Sequence, residues 1–100
     1  MTYYFNKLEN EFLSRGVLHT SMLLLDRNSS IDFIKKIDPL GGKLLGFDGF
    51  FLNSNSIQPS MEHSRDYSDS DIDGINDALN FLANKQLDGM FFEIVTSGIE

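Results

Sequence analysis

The chain has no cysteine, no tryptophan and only two prolines among its 100 residues. Without thiols there can be no disulfide, no thiolate metal site and no cysteine nucleophile, so a reducing cytoplasm is permitted and an oxidising compartment is not required. Long apolar runs are also missing. The longest strictly apolar stretch is Met22 to Leu25, and Leu44 to Leu52 is broken by Asp48, whereas a membrane-spanning helix needs about 20 residues. The opening MTYYFNKLENEF lacks a basic start followed by an apolar stretch, so no secretory signal is expected. These absences predict a soluble, cytoplasmic protein.

Positive charge is scarce in one half only. From Gly46 onward there are ten acids against Arg65 and Lys85, whereas the first forty-five residues hold five acids and six bases. The run from Glu62 to Asp77 alone sets six acids against Arg65. A field localised in this way attracts a basic partner and speeds encounter, and it repels nucleic acid and anionic lipid. Neither a nucleic acid nor a membrane is expected as a partner.

What is present suits one domain. A hydrophobic content of 41%, with nine Phe and three Tyr, can build a single core in a chain of this length. There are no repeats or linkers, so residues 1–100 are read as one domain. Phe5, Leu8, Phe12 and Leu13 recur at helical spacing, and Arg15-Gly16 ends that helix. Ser21 to Asp26 reads as a buried strand, followed by a polar turn, DRNSS. Ser29 and Ser30 are placed to cap a second helix carrying Phe33, Ile34 and Ile37, with Asp32 completing an imperfect capping box. Pro39 and Gly41-Gly42 end it.

Lys43 to Leu52 reads as a central strand with apolar residues on both faces. A polar turn at Asn53 to Ser56 leads to a short paired strand at Ile57-Gln58 and then to an acidic loop. A third helix sets Ile72, Ile75, Leu79 and Leu82 on one face and Asp73, Asp77, Asn80 and Asn84 on the other. Asp69, Ser70 and Asp71 suit its N-terminus and Lys85 its C-terminus. Met90 to Thr96 is a last apolar strand, expected near the sheet centre. The fold class expected is α+β, with three helices packed on a mixed or antiparallel sheet of about four to five strands, in two layers.

Particular residues bear on metal binding and on catalysis. Asp69-Ser70-Asp71-Ile72-Asp73-Gly74 matches the start of an EF-hand loop, but Asn76 stands where an apolar residue belongs and Asn80 where a bidentate Glu belongs. No metal or other cofactor is therefore expected. His19 and His63 form no recognisable acid–base or nucleophile motif, and glycines 41, 42, 46 and 49 do not make a GxGxxG loop. The chain is read as a non-enzyme. Asp48, between Gly46 and Gly49, is expected to be a half-buried structural carboxylate bonded to Arg65, His63 or backbone amides.

The segments FLSRG, MLLLDR, SSIDFIKKI, KLLGFDGFFL and IQPSMEHSRDYS, in this order, resemble the immunity protein 40 family of bacterial polymorphic-toxin systems. The likeness covers most of the chain. In that family a helix ends in a basic residue and Gly, a strand ends near Arg, and a Pro precedes an aromatic-small-x-acid signature, which His63-Ser64-Arg65-Asp66 would occupy. His63 stands where an aromatic is frequent, and Gly46-Phe47-Asp48 replaces Gly-Gly-Asp. The resemblance implies an inhibitor that binds a cognate toxin domain, as in contact-dependent growth inhibition, and such toxins are frequently nucleases.

Carboxylates placed where phosphates sit can pair with the bases of a nuclease cleft and exclude its substrate. Glu62, Asp66, Asp69, Asp71, Asp73 and Asp77 are the candidates, with His63 and Tyr67 as ring anchors. Charge reversal at Asp69, Asp71 and Asp73 together should weaken binding without unfolding the domain. The alternatives are a small calcium-binding module, or an acidic subunit of a nontoxic complex.

Overall fold

A computed structural model describes residues 5–53, 56–68 and 74–100. The candidates Asp69, Asp71 and Asp73, and with them the EF-hand-like start, lie outside the described residues. Elements follow in the order α1 (Lys7–Phe12), β1 (Val17–His19), β2 (Met22–Asp26), α2 (Arg27–Lys35), β3 (Lys43–Asn53), β4 (Ser56–Asp66), α3 (Gly74–Leu82) and β5 (Met90–Ser97). Short 3-10 turns at Leu13–Arg15, Asp38–Leu40 and Lys85–Leu87 connect them. The strands form one antiparallel sheet in the order β1-β2-β5-β3-β4, with three helices packed on it. This is the expected α+β class, and the sheet is antiparallel rather than mixed.

The core lies between α2, α3 and one face of the sheet. Leu8 and Phe12 from α1, Phe33 and Ile34 from α2, and Ala78 and Leu82 from α3 meet Leu23, Leu25, Leu44, Phe47, Phe92 and Ile94 from the strands. Phe12 and Phe33 pack edge to face at 5.2 Å, and Phe47 meets Phe92 at 5.8 Å and Phe81 at 5.6 Å. Such ring pairs add about 0.5–1.5 kcal/mol each beyond their burial.

Several local expectations are corrected. The helix starting after the second strand begins at Arg27, not at the serines: Asp26 is its cap, accepting from the Ser29 amide at 2.8 Å. DRNSS is therefore a cap and first turn, because Asp26 satisfies an amide that a free turn would leave to water. Ser30 is buried and donates to the Leu25 carbonyl, and Asp32 pairs with Arg15 at 2.8 Å instead of closing a capping box. The capping box sits on α1, where Asn6 accepts from the Glu9 amide and Glu9 accepts from the Asn6 amide. Lys85 lies in the 3-10 turn beyond α3.

Two strand expectations also change. A strand at Val17–His19 was not anticipated; it pairs with β2 through a two-residue turn in which Thr20 takes a φ of +56°. The segment read as a short strand and an acidic loop is one long edge strand, β4, reaching Asp66. β3 is an inner strand, flanked by β5 and β4. Its register shifts against β5 between Leu44 and Gly46, and the extra residue lets Leu44 and Phe47, three positions apart, enter the same core.

Candidate functional site

β4 departs from regular pairing where the acidic run begins. Gly49 pairs with Ser60 and Phe47 with Arg65, so Met61, Glu62, His63 and Ser64 together face Asp48 alone. Polar side chains replace the missing ladder. Ser64 Oγ accepts from the Gly49 amide at 3.2 Å and donates to the Ser60 carbonyl at 2.8 Å. Ser60 Oγ meets His63 Nδ1 at 2.7 Å. Arg65 donates to the carbonyls of Ser64 at 2.8 Å and Glu62 at 3.3 Å. A bulge fixed by its own hydrogen bonds holds its outward side chains at a set angle.

The side chains leave this bulge in two directions. His63 lies over Gly49, between Phe51 at 6.0 Å and Phe81 at 6.2 Å. A Cβ on Gly49 would stand 2.7 Å from the His63 carbonyl oxygen, so only glycine admits the crossing. The Arg65 guanidinium caps the Phe81 ring at 4.4 Å, an attraction of about 0.5–1 kcal/mol where solvent reaches it. Met61 is 87% exposed at the tip, and Glu62 beside it is exposed.

Tyr67 goes inward. Its ring lies against Gly74 at the start of α3 and 6.4 Å from Phe47, and its hydroxyl donates to Asp77. Burial first, then that hydrogen bond and the Asp77 charge, raise the phenol above its ordinary pKa near 10.0. The donor role thus requires a protonated phenol throughout the physiological range. Asp66 is fully exposed and accepts from the Ser68 hydroxyl and amide, and these two bonds lower its pKa below the ordinary 3.8.

Of the eight sequence candidates, the five described ones point in different directions. Glu62 stands on the bulge, Asp66 ends the strand, and Asp77 lies exposed on α3. His63 and Tyr67 are half-buried and packed against the fold. Among the described residues, the ion pairs are Arg15–Asp32, Arg27–Asp88 and Lys36–Glu11, so neither Arg65 nor any described acid of the run takes part in one.

Asp48 is corrected outright. It is exposed, and it stands directly across from Glu93 on β5. The reason is phase: Phe47 and Gly49 turn to the helices, so the residue between them must turn away. Glu93 is raised above the ordinary value near 4.5, by burial first and then by the charges of Asp48 and Glu9. This pair was missed because Glu93 is a single acid in an apolar strand, remote in sequence from the acidic run. Compared with family models, curated proteins and solved structures, the chain matches none. Among the described residues no helix is long and apolar enough to cross a membrane.

Proposed function

We propose that the protein is an inhibitor that neutralises a basic bacterial toxin domain, a nuclease by preference, by laying carboxylates over its phosphate-binding surface. One observation carries the reading. Arg65, the sole base between Glu62 and Asp77, is engaged with carbonyls and the Phe81 ring, and no described ion pair takes it to a carboxylate. Glu62, Asp66 and Asp77 therefore face solvent with their charge uncompensated by a described cation, available to a basic cleft. The likeness to immunity proteins in the quoted segments points the same way. Cytoplasmic residence and a non-enzymatic, cofactor-free mode of action belong to the same reading.

Exposed carboxylates at a rim act mainly on association rate, and those at the interface centre act on dissociation. The test is co-expression with the product of the gene directly upstream, followed by a nuclease assay on the purified complex. Retained complex and lost cleavage are expected. Cleavage at full rate in the presence of excess protein, or an upstream gene that encodes no toxin, counts against the reading. In the complex, Glu62→Gln, Asp66→Asn and Asp77→Asn together should slow association about 10-fold at low salt and flatten its salt dependence.

A further inference from the structure

We propose that two copies of the chain pair edge to edge through β1, antiparallel about a two-fold axis beside Leu18, joining their five-stranded sheets into one. The inference goes beyond the inhibitor reading and does not rest on it, because β1 lies at the opposite edge of the sheet from the acidic run.

The two edges are built differently. β4 carries Pro59, the interruption at Met61–Ser64 and the charges of Glu62, Arg65 and Asp66, each a device that keeps a free edge from pairing. β1 carries none of them. From Gly16 to Ser21 there is no proline and no charged residue, and Gly16, at φ −122° and ψ −178°, continues the extended backbone ahead of Val17–His19. Among the described residues β1 is the last strand on its side. All three of its residues are exposed, Val17 at 44% and Leu18 at 49%. An outer strand that is apolar, uncharged and unbulged is one to which another strand can add.

Register and charge select a second copy. Val17, Leu18 and His19 pair with Leu24, Leu23 and Met22 across the two-residue turn Thr20-Ser21. Bonded and non-bonded pairs alternate along an antiparallel ladder, starting from a bonded pair at such a turn, so Leu18 sends its N–H and C=O away from β2. A two-fold axis beside Leu18 lets the two copies of that residue exchange both bonds, with Val17 of each copy against His19 of the other. An isologous contact needs this self-complementarity, and here it sets no like charges opposite each other. A basic partner strand gains nothing at an uncharged edge. The chain carries a net charge of −7, yet its first forty-five residues hold five acids and six bases. Strands lie about 4.8 Å apart, so pairing through β1 leaves the two β4 edges roughly 40 Å from each other, several times the Debye length of about 8 Å at physiological salt. Pairing through β4 would press the acidic edges together. With so few residues in contact, the dimer is weak and depends on concentration.

The test is sedimentation of the full chain from micromolar to millimolar concentration, with amide shifts followed by NMR over the same range. A monomer–dimer equilibrium is expected, with shifts concentrated at residues 16–20 and association that strengthens as salt screens the net charge. Leu18→Lys and Leu18→Glu, each alone, should weaken the dimer about 10-fold. An equimolar mixture of the two should recover association, because the two-fold sets residue 18 opposite itself. If either variant loses its folded spectrum, Val17→Lys, on the other face of the strand, carries the same expected loss. A chain monomeric at millimolar concentration, a dimer that survives the substitutions, shifts centred on residues 56–66, or a mixture that associates no better than its components would overturn the proposal. So would association that weakens as salt rises.

Discussion

The two faces of one sheet carry opposite kinds of residue only one position apart. Phe47 and Ile94 lie across from each other beneath the helices, and the next pair, Asp48 and Glu93, sets two acids together on the other side. The first pair is an ordinary solution to burying apolar surface. The second opposes folding and gains no described cation within the chain. Strand periodicity thus lets a single short run, Phe47-Asp48-Gly49, hold the core with one side chain and present charge with the next. It also means that the face carrying unused charge cannot be recognised from composition, because it interleaves with the core.

Substitutions that strip one face at a time test how separate these roles are. The largest effect is expected from Phe47→Ala, which removes the ring shared by Tyr67, Phe81 and Phe92 and should lower stability by about 3–5 kcal/mol in urea denaturation. Phe50→Ala, on the face away from that cluster, should cost clearly less. If the two losses were equal, the helix-free face would be as much a core as the other. Gly49→Ala comes next, at about 1–3 kcal/mol, because the new methyl meets His63 backbone 2.7 Å away and can be admitted only by shifting β4. A variant as stable as the parent would mean that the bulge yields freely.

The smallest and most diagnostic change is Glu93→Gln, which should raise stability at neutral pH by about 0.2–1 kcal/mol. Its pH dependence fixes the sign. Because the folded protein holds the Glu93 proton more tightly than the unfolded chain, stability falls as pH rises from the ordinary value near 4.5 through the raised one. Glu93→Gln should remove that decline. Asp66 works in the opposite direction, its contribution being present above 3.8 and lost as pH falls below it. Parallel stability curves for the parent and Glu93→Gln between pH 4.5 and 7 would dismiss the opposed-acid account.

The sequence made the class of fold legible, since its three helical patterns and main apolar strands were plain in periodicity. α3 was read from Ile72, Ile75, Leu79 and Leu82; Ile72 lies outside the described residues, and of the described helix the side chains most deeply buried are Ala78 and Leu82. β1 was illegible because its turn is Thr20-Ser21, and a β-branched residue at positive φ is a poor signal beside Asn-Gly. β4 was cut short because its bulge destroys alternation at Met61–Ser64 and its composition reads as loop. Of the candidate site, exposure of Glu62, Asp66 and Asp77 followed from their polarity. The inward turn of Tyr67 depended on a glycine at position 74, and the Asp48–Glu93 pairing depended on a register no local pattern contains.

The bulge in β4 has a consequence for colloidal behaviour. An unpaired outer strand is a template on which other chains can polymerise, and the longer and flatter it is, the greater the hazard. Here Pro59 offers no N–H, and Met61–Ser64 swing the backbone out of line just beyond it. An arriving strand would find only short straight lengths on either side of the interruption, too short to seed a fibril. The same irregularity that aims Glu62 outward therefore also opposes edge-to-edge pairing through β4.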